Sequence, residues 1–155
     1  MWVIKEGNGM FVGQSVHVLD NKSRLVLPAK YRSQLSSIVY LSLDLDSCLS
    51  IYSEEIYSKK AQNMNDLDDF DKNSRALKRI FFANSFEVAL DKQGRIMIPK
   101  YLLEKVDIEK QIVIIGAFDH IQLFSTKVID GLLTEDENQY EELAAKLKGS
   151  KENGI

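Results

Sequence analysis

An α+β, β-rich fold built from two pseudo-symmetric ββαββ repeats with peripheral helices is what this 155-residue sequence predicts, and three observations carry the prediction. The phrase "LDNKSRLVLP" at 19–28 returns seventy-one positions later as "LDKQGRIMIP" at 90–99, with Leu, Asp, Arg and Pro in register and an apolar triplet between Arg and Pro each time. Each phrase is followed by the same order of helix formers and two apolar runs. Tyr52-Ser53 is then echoed by Phe124-Ser125, so the repeat spans about forty residues per copy and signals a duplicated unit.

Residues 1–9, "MWVIKEGNG", match nothing in the second half and read as an N-terminal extension, with Met10 able to serve as a start. The first repeat with its trailing helices covers 10–80. Within it, 15–19 and 25–27 read as short strands around a polar turn rich in Asn, Lys and Ser. Pro28 opens a short helix, because a missing N–H costs nothing at a helix start. Strands "IVYLSLDL" and "CLSIY" follow, and Ser53 with Glu54 and Glu55 marks the N-cap of a helix across "EEIYSKKAQNM". "DDFDKNSRALKRI" is a further helix with Leu77, Ile80 and Phe81 at helical spacing.

The second repeat, 81–148, runs in the same order: strand "FFANSFEVAL", turn "DKQG", strand "RIMI", a Pro99-led helix "KYLLEKV", strands "QIVIIGAF" and "HIQLF", and a helix begun near Ser125. Ile129, Leu132, Leu133, Tyr140, Leu143, Ala144 and Leu147 fall on one face of a long C-terminal helix interrupted around "TEDENQ". Residues 149–155 are expected to fray. The triplets "LVL" and "IMI" and the run "IVIIGAF" do not alternate in polarity and read as strands buried on both sides, in a core or at a subunit interface.

Composition narrows the functional classes. The longest apolar run is too short to span a bilayer and no signal peptide is evident, so a soluble, cytoplasmic protein is expected, with no membrane partner. The single cysteine, Cys48, leaves no intrachain disulfide and reads as a buried, inert thiol. Net charge is -3 and pI about 5.4, which alone argues against nucleic acid. The charges are segregated, however. Residues 10–35 hold Lys22, Arg24, Lys30 and Arg32 against Asp20 alone, whereas 45–71 hold seven acids against Lys59 and Lys60.

A D-x-x-x-R turn has two readings. In the structural one, the carboxylate accepts N–H groups of its own turn and the arginine pairs with an acid across the hairpin. In the functional one, Asp20 and Asp91 fix their turns while Arg24 and Arg95, beside Lys22 and Lys92, project donor forks at a phosphate or a guanine edge. Lys22, Lys30, Arg32, Lys92 and Lys100 are then candidate phosphate contacts that set register without reading sequence.

"MFVGQSVHVLDNKSRLVLPAKYR" at 10–32, the second D-x-x-x-R phrase and "IPKYLLEKV" together resemble the MraZ family of bacterial transcriptional regulators, relatives of AbrB-type proteins, over residues 10 to 147. The resemblance implies a double-split, swapped-hairpin β-barrel and subunits joined in a ring. It also implies binding of double-stranded DNA at short direct repeats upstream of the cell-division and cell-wall operon, including the protein's own gene, and so a place on the nucleoid. Matched positions are Asp20, Lys22 and Arg24 in the first phrase and Asp91 and Arg95 in the second. The first phrase departs from the family's D-A-K-G-R at Asn21 and Ser23, and the second at Gln93. Serine at a left-handed position strains or reshapes the turn.

An enzyme is not expected. His17 and His120 occupy non-equivalent places in the repeats, and there is no phosphate loop, H-E-x-x-H or nucleophile elbow. Asp44 with Asp46 and Asp66 with Asp68 lack an EF-hand pattern and read as solvated loop acids, so no metal, cofactor or small-molecule substrate is expected. The competing class is a structural or protein-interaction ring without specific DNA binding. An AbrB-like antitoxin would need a disordered toxin-wrapping tail, for which the C-terminal pattern is too periodic.

Overall fold

The chain lays down its elements in the repeated order. In the computed structural model, which describes residues 10–152, the first half holds β1 (Gln14–Val18), β2 (Arg24–Val26), α1 (Ala29–Arg32), β3 (Ile38–Asp44) and β4 (Cys48–Tyr52), then α2 (Glu54–Asn65) and α3 (Lys72–Ala83). The second half holds β5 (Ser85–Ala89), β6 (Arg95–Met97), α4 (Lys100–Lys105), β7 (Gln111–Gly116) and β8 (Ile121–Phe124), then α5 (Thr126–Asn138) and α6 (Tyr140–Glu152). The expected extension 1–9 and the last residues of the expected frayed tail, 153–155, lie outside the described residues.

Each half lends its first strand to the other. Six strands form one antiparallel sheet in the order β1-β7-β8-β4-β3-β5, and β2 pairs with β6 in a separate ribbon. The order reads the same when the halves are exchanged. Register confirms the symmetry: Leu25 faces its repeat equivalent Ile96, and Ser50 faces Gln122, so a pseudo-two-fold axis passes through both pairs. The exits of the outer strands match as well, with Leu19 N–H donating to Lys110 C=O and Leu90 N–H to Ser37 C=O, each at 2.8 Å.

A closed barrel is not what the pairing makes. β1 and β5 are free edges of the six-stranded sheet. β2 and β6 are three residues long and end beside Pro28 and Pro99, which have no N–H to carry a ladder further, so they pair with each other and do not bridge the two edges.

The triplets expected to be buried on both sides alternate after all. Leu25, Leu27, Ile96 and Ile98 point into the core, while Val26 and Met97 between them are 49% and 56% exposed. A three-residue ribbon has one face on the sheet and the other free. The β7 run fits the expectation better: Ile112 and Ile114 enter the main core, and Val113 packs on the opposite side with Phe124 and Ile129. Each such fully buried side chain contributes roughly 1.5–3 kcal/mol.

Local caps form where serine and aspartate stand before helical runs. Ser53 accepts Ile56 N–H, Ser125 accepts Val128 N–H and Asp71 accepts Ser74 N–H. Phe81 and Phe82 belong to α3 and not to the following strand, because Phe81 stacks on Tyr57, which stacks in turn on Tyr40. The C-terminal helix breaks at Gln139, and only its first part packs: Ile129 is buried, whereas Tyr140, Leu143 and Leu147 on α6 are exposed. α6 continues through Glu152, inside the stretch expected to fray. Among the described residues no helix is long and apolar enough to cross a membrane.

Candidate nucleic-acid interface

The two repeated phrases build the same turn atom for atom. Asp20 Oδ1 accepts the N–H groups of Lys22 and Arg24, both at 2.9 Å, and its Oδ2 accepts Arg24 Nε at 2.6 Å. Asp91 Oδ1 accepts Gln93 and Arg95 N–H, both at 2.9 Å, and its Oδ2 accepts Arg95 Nε at 2.7 Å. Each aspartate therefore closes an Asx turn and also orients the arginine four residues on. The arginine pairs inside its own turn, not across a hairpin. Among the described residues neither guanidinium makes another hydrogen bond, so each keeps its terminal nitrogens for an outside acceptor.

Electrostatics agree with this geometry. The backbone N–H of Arg24, with its side chain and the Lys22 N–H, holds the Asp20 carboxyl below its usual range and outweighs the opposing effect of desolvation. Asp91 is lowered by the equivalent groups in the same order.

Each turn is also wired to the other half. Ser23 and Gly94 occupy equivalent positions with φ of 59° and 76°, and their carbonyls accept Ile98 N–H and Leu27 N–H respectively, both at 3.0 Å. The serine substitution has thus strained the turn without reshaping it. Every turn is held by the residue before the other repeat's proline.

The remaining predicted residues separate into two groups. Lys22, Lys30, Lys92 and Lys100 are exposed, and Lys30 lies over the Tyr31 ring at 5.0 Å. Arg32 is different: its Nη1 donates to Gln93 C=O at 3.2 Å, its guanidinium lies against Gly94, and its Nε is buried without a partner among the described residues. This places Arg32 as a brace of the second turn. Its repeat equivalent is Leu103, a core residue, so the first turn has no such brace.

Other chemistry-bearing groups do not assemble into a site. Cys48 is buried, and burial pushes its thiol up to about 12. His17 meets Ser15 Oγ at 2.7 Å, and burial lowers its pKa. Burial raises Asp44, but the Ser50 hydroxyl at 2.6 Å, the Leu45 N–H and Lys60 outweigh it and hold the carboxyl low. Among the described residues no three His, Cys, Asp or Glu side chains gather as a metal site.

Strand alternation carries one further signal in the ribbon. Counting by two from Arg24 and Arg95 puts Val26 and Met97 on the arginines' own face, opposite buried Leu25 and Ile96. The Arg32 brace had no such signal, since it joins residues far apart in sequence.

Comparison with known proteins gives one family. Residues 10–80 and 81–150 each match the family described as "MraZ protein, putative antitoxin-like". Among relatives, a protein of Halothermothrix orenii named transcriptional regulator MraZ is 40% identical over 139 residues, covering 90% of this chain and 97% of the relative. Its namesake from Mycoplasmopsis pulmonis is 40% identical over 133 residues, covering 85% and 90%. That of Caldanaerobacter subterraneus is 35% identical over 138 residues, covering 89% and 96%.

Proposed function

The chain belongs to the MraZ family, and from that premise we propose that it is a DNA-binding transcriptional regulator whose two Asp-anchored arginines are the reading groups. In the finer form of this reading, the halves 10–80 and 81–148 make a swapped-hairpin unit, for which the exchange of β1 and β5 between halves is the support. Several copies join in a ring that binds short direct repeats upstream of the cell-division and cell-wall operon, including its own gene, on the nucleoid. No cofactor or small-molecule substrate enters the reading.

The observation that carries it is the pair of guanidiniums, each fixed through Nε and, among the described residues, unoccupied at its outer nitrogens. A held guanidinium loses little freedom on binding and matches the paired acceptors of a guanine edge or a phosphate. Exposed Lys22, Lys30, Lys92 and Lys100 supply non-specific phosphate contacts. A single arginine contact discriminates weakly, and repetition around a ring multiplies it through effective concentration when DNA repeats match subunit spacing.

The test is fluorescence anisotropy of wild type and Arg24→Ala against a duplex from upstream of the gene and a scrambled duplex, with light scattering to follow assembly. Arg24→Ala should weaken specific binding about ten- to a hundred-fold with particle mass unchanged, and Arg95→Ala should act similarly or less. Wild-type affinity should also fall steeply with salt. Equal binding of both duplexes by wild type would sink the proposal. A protein-interaction ring, which the exposed Tyr140, Leu143 and Leu147 of α6 favour, would then take its place.

A further inference from the structure

The outward face of the β2–β6 ribbon carries four side chains and no acid. Arg24 stands opposite Met97 and Val26 opposite Arg95, so each arginine has an apolar cross-strand neighbour, and the pseudo-two-fold axis runs between the two pairs. The inward face, Leu25 and Ile96, is fully buried. Val26 and Met97 are 49% and 56% exposed, although Met97 also borders a groove with Phe86, Glu87 and Val88.

We propose that Val26 and Met97 read the 5-methyl groups of thymine in the DNA major groove, between the guanine or phosphate contacts of Arg24 and Arg95. The inference rests on the DNA-binding reading above and adds a second base to it. A two-stranded β-ribbon fits the major groove, and the thymine methyl is the one apolar group that base edges present there. Charge favours the same occupant: Lys22 and Lys92 are exposed in the two turns that adjoin the ribbon, where flanking phosphates would run. A second copy of the chain fits less well. Self-contact through this face would bury two guanidiniums per copy with no carboxylate on either strand to receive them beyond the turn aspartates they already hold.

Upstream DNA amplified with dUTP in place of dTTP has the same sequence and lacks only the methyls. Anisotropy or gel shift should show wild type losing about four-fold in affinity per methyl contacted, hence roughly fifteen-fold for two contacts. Val26→Ala/Met97→Ala should bind thymine DNA more weakly than wild type and treat the two fragments alike. The exposed positions leave folding intact, which light scattering and thermal melting check. Equal binding of both fragments by wild type, retained discrimination in the double variant, or a changed particle mass in that variant overturns the inference. If wild type binds specifically and ignores the methyls, only this inference falls. If it binds no DNA specifically, the parent reading falls too.

Discussion

The first turn and the second turn make the same hydrogen bonds at nearly the same lengths, yet they are held differently. The first keeps a serine in left-handed backbone, and among the described residues no arginine donates to its Lys22 C=O as Arg32 does to the Gln93 C=O of the second. The second has a glycine there, and Arg32 fills the space a side chain would take. Duplication thus preserved the groups that set the arginine and let the support diverge. The aspartate network is local to five residues, so it survives in each copy; the brace depends on α1, and α4 carries Leu103 at the matching place.

Gly94→Ala should separate the two turns most. Its φ of 76° disfavours any Cβ, and that Cβ would overlap the Arg32 side chain, displacing it from Gln93. A loss of about 2 kcal/mol is expected, summing left-handed strain and the lost Arg32–Gln93 hydrogen bond. Ser23→Ala, where a Cβ already stands, should change stability by less than about 0.5 kcal/mol. Urea unfolding of both variants checks this. Similar losses would mean that the brace does not distinguish the turns.

Acid should affect the turns alike. Both aspartates have folded pKa values below the ordinary 3.8, so their stabilising contribution is present above that value and disappears as pH falls through the folded one. Asp20→Asn and Asp91→Asn each set an amide N–H against the arginine Nε. Each variant should melt several degrees lower than wild type at neutral pH and show a shallower loss of stability below pH 3.8. Melting curves across pH would reveal any inequality, and a larger change for Asp91 would mean that Arg32 supports the carboxylate as well as the backbone.

What could be read from the sequence was what neighbours in sequence decide. Asp20 and Asp91 close their turns as spacing predicts, and Ser53 and Ser125 cap their helices as composition predicts. The repeat could be read because each copy carries its own punctuation. What could not be read depends on contacts between distant segments: the loan of β1 to β7 and β5 to β3, the open edges, and Arg32 beside Gly94. Three apolar residues in a row cannot declare whether the middle one is covered, and Val26 and Met97 are uncovered because only the other face of the ribbon packs on the core. Helical periodicity likewise predicted α6 without saying that its apolar side chains would find nothing to pack on.

A stabilising substitution at the first turn separates strain from contact. Ser23→Gly relieves a φ of 59° that costs a side-chain-bearing residue about 1–2 kcal/mol, while the added freedom of the unfolded chain takes back about 0.5–1 kcal/mol. A net gain of roughly 0.5–1 kcal/mol should appear as a higher urea midpoint at unchanged slope. The Ser23 carbonyl still accepts Ile98 N–H in the variant, and Asp20 still holds Arg24, so DNA affinity should stay as it is. A stability gain with unchanged affinity makes the serine a tolerated strain in a turn whose proposed DNA contact is made by Arg24 on Asp20. A gain accompanied by weaker DNA binding would instead make Ser23 itself a contact, and the two turns would differ in what they touch as well as in how they are held.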